Sequence, residues 1–357
     1  MSRDARSKAA GRSIAPTARR GSAARPAASV RGSAKRPAAA GDQVPVSSGP
    51  TGEGLVVGTT PLAARVAGAL LILAAVVSVA SFFPTYLVVG GKELSTVTGF
   101  GGALVALLVP AVHLAVGVVL VRGLVPKFGL AYAGVAGALA VGQLLIEIYR
   151  GSSSTTRPAV EVIAGQRVLT SGVHVRPGWI LGLVALVLVV AAGVAATIAW
   201  GRTVMEDRGA LDPVRSALAG AAVLLGVLTV LSLTLPAVDV PDHLVTDPAT
   251  GFQTVVTSEG PQALLERPGL ALLGGLLLAG AVLLCSVVAP SLRPRLAAVG
   301  GLLAIAVAVL AAALTGVRDA VASSDLEWTV PGAGLLLAGL GYAVLTGLAW
   351  RLRRARA

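Results

Sequence analysis

The sequence predicts an all-α polytopic membrane protein. Eight transmembrane helices form a parallel 4+4 internal repeat with both termini cytoplasmic, short β-hairpin-like extracytoplasmic loops and a disordered N-terminal tail. Three observations predict this. Of 357 residues, 55% are hydrophobic and 13% charged, with a mean hydropathy of +0.83, a composition that excludes an ordinary water-soluble globule. Apolar runs of about twenty residues recur, each long enough to cross a hydrocarbon core of about 30 Å as a helix. The lengths and charges of the loops between these runs repeat once along the chain.

Residues 1–58 come first. Arg, Ala, Ser, Pro and Gly recur there without an apolar period, and ten Lys or Arg face three acids, Asp4, Asp42 and Glu53. Such a segment cannot bury enough apolar surface to offset its ordering entropy, so it is expected to be a disordered basic tail. It does not read as a secretory signal, because no apolar stretch follows a short basic start. Arg19-Arg20 lacks the adjacent apolar run of a twin-arginine signal.

The spans follow at about 63–84, 100–122, 128–149, 178–200, 215–236, 268–289, 295–316 and 331–350. Lys and Arg are retained on the cytoplasmic side of short loops, and this sets the orientation. With the N-terminus inside, the cytoplasm receives 22 of the 29 basic residues and six acids, and the outside seven basic residues and eleven acids. The short turns with Arg122, Lys127, Arg293 and Arg295 agree with this orientation without help from the tail.

Each half reads helix, outer loop, helix, tight basic turn, helix, outer loop, helix. Matching residues punctuate it: Pro84 and Pro236 after the first helix, Pro126-Lys127 and Pro294-Arg295 at the tight turn, Pro177-Gly178 and Pro331-Gly332 opening the last helix, and Ala199-Trp200 and Ala349-Trp350 closing it. The expected organisation is a tail at 1–58, a first repeat at 59–200, a linker at 201–214, a second repeat at 215–350 and a basic C-terminus at 351–357. Four helices per unit give both copies the same orientation, related by an axis along the membrane normal. Three outer loops alternate apolar and polar residues around turn residues, from Tyr86, Val160 and His243, and read either as hairpins or as ordinary Val/Thr-rich loops.

Chemistry is sparse. The single cysteine, Cys285, excludes an internal disulfide and a thiolate cluster, so no cofactor or metal is expected. No P-loop, zinc-peptidase or nucleophile-elbow motif occurs. Ionisable groups in a membrane are costly and are functional candidates by default. His113 lies mid-span, one turn after Pro110, and reads as a proton or ligand contact or as a neutral histidine bound to a neighbouring backbone. Gln143 and Glu147, on one face of the third span, read as a polar rim or as an interfacial cluster with Glu147 paired to Arg150. Trp179, Trp200 and Trp350 read as interface anchors. Asp239 and Asp242 are where an enzyme acting on a lipid-linked substrate would place an acid, and Asp-Val-Pro-Asp is also an ordinary turn.

The tail basics, among them Arg19, Arg20, Lys35 and Arg36, should be drawn to anionic lipid headgroups or to a protein partner. The tail has no aromatic residue to stack on bases, so nucleic acid is not expected. The expectation is a non-enzymatic protein of the cytoplasmic membrane, a cell-envelope scaffold or assembly factor, with self-association into a homo-oligomer left open. The alternative is a permease or flippase for an apolar or amphipathic, lipid-like molecule, with His113, Gln143 and Glu147 as its contacts.

Overall fold

A computed structural model describes residues 55–89, 92–95, 97, 99–152, 160–163, 166–169, 173–207, 211, 213–239, 243–246, 253–256, 269–322 and 327–352. In chain order the elements are β1 (Leu55–Val57), α1 (Leu62–Ala80), β2 (Leu87–Val89), β3 (Lys92–Leu94), α2 (Gly99–Val121), α3 (Pro126–Ser152), β4 (Val160–Ile163), β5 (Gln166–Leu169), β6 (Val173–Val175) and α4 (Pro177–Trp200). There follow β7 (Met205–Asp207), α5 (Arg215–Leu233), β8 (Val238–Asp239), β9 (His243–Thr246), β10 (Gln253–Val256), α6 (Gly269–Ser291), α7 (Arg295–Ala322), β11 (Glu327–Trp328) and α8 (Val330–Arg351). The eight helices are each long and apolar enough to cross a membrane. This is a multi-pass integral membrane architecture, and the eight match the eight apolar runs.

Helix ends follow local chemistry. Pro177 and Pro331 stand in the first turns of α4 and α8, where a missing N–H costs nothing. Thr329 caps α8, its hydroxyl accepting from Gly332 N at 3.4 Å and donating to Pro236 O at 2.7 Å. α3 and α7 run past the apolar stretches expected for them, to 27 and 28 residues. The added residues of α3 include Arg150, which pairs back to Glu147 inside the expected span, and those of α7 include Arg318 with Asp319; paired charges let a helix continue where hydropathy falls.

α3 packs against α4, α6 and α7, and α7 against α2, α3, α6 and α8, so these two helices form the centre and are the most buried. Within α1–α4 the neighbours are α1 with α2, α1 with α4, α3 with α4 and α2 with α3; the corresponding contacts recur within α5–α8. Between the two sets α3 meets α6, α2 meets α7, and α3 meets α7. Of the largest fully buried side chains, Tyr132, Leu130, Leu139, Leu296, Leu302 and Ile305 lie on α3 and α7, with Leu71 on α1, Leu120 on α2 and Tyr342 on α8.

Close approach is made by glycines. A Cβ on Gly137 would stand 2.7 Å from Gly193 Cα, one on Gly142 2.6 Å from Gly274 O, and one on Gly68 2.9 Å from Gly117 O. Neighbouring backbones therefore touch, which maximises dispersion contact where lipid supplies no hydrophobic drive for helix association.

The three loops with alternating residues all form antiparallel pairs: β2 with β3, β4 with β5, and β9 with β10. Two further pairs link distant segments. β2, just after α1, also pairs with β6, just before α4; β8, after α5, pairs with β11, before α8. At the other end of the bundle β1 pairs with β7, Leu55 opposite Asp207 and Val57 opposite Met205. Leu55–Val57, expected to belong to the disordered tail, form a strand instead, and residues 1–54 lie outside the described residues. The linker expected at 201–214 contains a strand for the same reason: its backbone groups find partners in the segment entering α1.

Candidate functional site

Among the described residues, the densest polar cluster lies at the hairpin end of α3. Glu147 is only 9% exposed although its span ends nearby. Its carboxylate accepts from the Tyr86 hydroxyl through Oε1 and from Arg150 NH1 through Oε2, the latter at 3.3 Å. Trp179 Nε1 donates to the backbone carbonyl of Glu147 at 3.0 Å. Three segments far apart in sequence, the start of β2, the end of α3 and the start of α4, are thus tied at one residue.

Local folding explains the placement. Tyr86 N donates to Leu94 O at 2.9 Å and Tyr86 O accepts from Arg176 N at 3.3 Å, so its backbone is clamped between β3 and the entry to α4. Gly178 makes that clamp sterically feasible, since a Cβ there would lie 2.8 Å from Pro84 O and 2.9 Å from Thr85 O. Gly151 leaves room for the Trp179 ring in the same way. Burial, and then the Glu147 carboxylate, push the Tyr86 hydroxyl well above the usual tyrosine range, so it remains a hydrogen-bond donor. Near the end of α7, Arg318 is bound to its neighbour Asp319 at 2.7 Å. Chemically this is a structural tie: every oxygen of Glu147 is engaged by the chain itself.

A second knot lies inside the bundle. Tyr342 OH donates to Ala222 O at 2.9 Å and lies 2.6 Å from Ser286 Oγ, whose own bond reaches Val282 O at 2.6 Å. It joins α5, α6 and α8, and Gly226 admits it, since a Cβ there would sit 2.6 Å from Ser286 Oγ.

His113 is not brought together with Gln143 and Glu147. His113 is buried on α2 with its ring edge-on to Tyr132, centroids 5.7 Å apart and planes at 78°. Tyr132 and Glu147 are fifteen residues apart on α3, about 22 Å at 1.5 Å per residue. Gln143 is half-buried on the Glu147 face. Arg19, Arg20, Lys35 and Arg36 lie outside the described residues, as does Asp242. Trp179 is fixed by its bond to Glu147, and Trp200 lies under Lys127, whose Nζ is 5.6 Å from the ring centroid. Tyr86 and Tyr342 were not singled out from sequence; a tyrosine beside a strand and a tyrosine in an apolar run carry no local signal of their partners.

An apolar cavity of about 260 Å³ opens between α3, α4 and α6. Its walls include Leu130, Gly134, Ala196, Trp200, Cys285 and Leu292. Among the described residues no group of three or more His, Cys, Asp or Glu is placed to hold a metal ion.

No family model, curated protein or solved structure matches this chain. Its function is therefore argued from its own residues.

Proposed function

We propose that this chain is a non-enzymatic scaffold or assembly factor of the cell envelope, embedded in the cytoplasmic membrane with both termini inside. The observation that carries this reading is the backbone-to-backbone packing around α3, at Gly137 against Gly193 and Gly142 against Gly274. A bundle sealed in this way is a rigid mount that presents strands and hairpins at one end, and the basic tail is read as its contact on the cytoplasmic side. The tie at Glu147 supports the same reading, because it locks the β2 and β6 strands to the helices instead of offering free polar groups to a ligand. The recurrence of the α1–α4 contacts in α5–α8, and of the β2/β6 pairing as β8/β11, supports an internal duplication about an axis along the membrane normal.

A permease or flippase would need a route continuous across the bundle. The cavity between α3, α4 and α6 reaches from Trp200 and Leu292 to Gly134 and Leu284, about eight residues or about 12 Å, which stays within the thickness of one leaflet. The lipid-linked-substrate enzyme reading would turn on Asp239 and Asp242, and conversion of both to Asn tests it.

Affinity purification from native membranes, with the full chain and with residues 1–58 deleted, tests the scaffold. A stoichiometric protein partner that is lost with the tail is expected. The same set of proteins with and without the tail, together with loss of function on His113→Ala, would overturn the reading.

A further inference from the structure

The α3/α4/α6 cavity has a chemistry that neither the scaffold nor its tail uses. Its lining is Leu130, Val135, Leu284, Val288 and Leu292 with small residues between them, and its outer lip is open: Leu284 is 69% and Val288 47% exposed on the lipid-facing side of α6. Small residues on the facing helices, Ala131 and Gly134 on α3 and Ala196 on α4, make the recess, because their short side chains leave the space that a Leu would fill. The depth of about 12 Å matches one leaflet of acyl chain and is too shallow for a passage through the bundle.

The rim differs from the walls. Trp200, at the mouth, has Lys127 Nζ 5.6 Å from its ring centroid. Arg202 follows Trp200 by two residues and Arg293 follows the lining Leu292 by one; both are exposed. Outside the tail, the sequence segments at this end of the bundle carry more basic than acidic residues, Lys127 and Arg202 among them, with Glu206, Asp207 and Asp212 as the acids. An apolar slot of one-leaflet depth beneath a basic rim is complementary to a molecule with an anionic head and an apolar chain.

We propose that this groove is a binding site for an anionic phospholipid of the leaflet on the basic side, its acyl chain lying between α4 and α6 and its phosphate held by Lys127 and Arg202. Trp200 separates the two regions, its ring forming part of the slot and carrying the Lys127 ammonium on its face. The lipid fills space between α3, which belongs to the first four helices, and α6, which belongs to the second. It therefore acts as a wedge completing the contact between them. This inference does not depend on the scaffold reading: a resident lipid could complete a scaffold or a carrier.

The unique thiol of Cys285 in the lining provides the test in the native full-length chain. The detergent-purified, delipidated protein is offered equimolar dioleoyl phosphatidylglycerol and dioleoyl phosphatidylcholine, retained lipid is counted by native mass spectrometry, and alkylation of Cys285 by N-ethylmaleimide is timed in parallel. The expected result is about one retained phosphatidylglycerol per chain, preferred by about 30-fold; tenfold per 1.4 kcal/mol makes this the effect of two basic side chains at about 1 kcal/mol each. Alkylation should slow in proportion to that occupancy. In the K127Q/R202Q variant, whose substitutions lie at the rim and outside the packed core, preference should fall to near parity and protection should disappear. Equal retention of the two lipids by the wild-type chain would overturn the proposal. So would phosphatidylglycerol retention that leaves Cys285 alkylation at its lipid-free rate, or protection that survives unchanged in K127Q/R202Q.

Discussion

The tie at Glu147 makes a quantitative prediction, because its two side-chain partners differ in kind. The Tyr86 hydroxyl is half-buried and donates directly to Oε1, whereas Arg150 reaches Oε2 at 3.3 Å with its side chain 37% exposed. A hydrogen bond to a charged group contributes about 1.5–3 kcal/mol when partly buried. An exposed ion pair contributes about 0–1 kcal/mol, and the long contact and solvent access of Arg150 place it at the low end. Two double-mutant cycles separate them, Tyr86→Phe with Glu147→Gln and Arg150→Gln with Glu147→Gln, read as equilibrium unfolding in mixed detergent and SDS micelles by circular dichroism. The Tyr86 cycle should give a coupling of about 2 kcal/mol and the Arg150 cycle about 0.5 kcal/mol or less. A Tyr86 coupling below that of Arg150 would refute the assignment of the phenol as the principal partner.

Other consequences can be checked on the same preparation. Gly142→Ala places a Cβ 2.6 Å from Gly274 O and Leu278 N, both backbone atoms, and should destabilise by about 1–3 kcal/mol, whereas Gly134→Ala meets nothing within 4 Å and should be neutral or slightly stabilising. Tyr342→Phe removes the donor to Ala222 O and the partner of Ser286, and should cost about 1–2 kcal/mol in the same unfolding assay. Because the folded state holds the Tyr86 proton more tightly than the unfolded chain, its contribution is fully present below about pH 10 and declines as pH rises above it. Tyr86→Phe should therefore flatten the alkaline end of the stability profile, and an unchanged slope would contradict this.

The spans were legible because membrane crossing demands about twenty apolar residues, a signal that tertiary packing does not obscure. What hydropathy missed were the last residues of α3 and α7, where Arg150 pairs back to Glu147 and Arg318 pairs with Asp319 as each helix runs beyond its apolar stretch. The hairpins from Tyr86, Val160 and His243 could be read from alternation, but β1 and β7 could not, since Leu-Val-Val and Met-Glu-Asp carry no shared pattern. Within the candidate site, the i,i+3 pairing of Glu147 with Arg150 was visible in sequence. Tyr86 and Trp179 were not, being 61 and 32 residues from Glu147 and joined to it through the β2/β6 pairing. The groove was hidden for a different reason: it is space left by Ala131, Gly134 and Ala196, residues that in sequence signal only close packing.

The scaffold reading takes the basic end of the bundle to face the cytoplasm, and cysteine accessibility in cells tests this directly. In a Cys285→Ala background, Glu93→Cys and Leu244→Cys should react with a membrane-impermeant maleimide on intact cells, while Ser22→Cys and Ala355→Cys should react only after permeabilisation. Labelling of the two termini on intact cells, with the hairpin positions protected, would contradict the account.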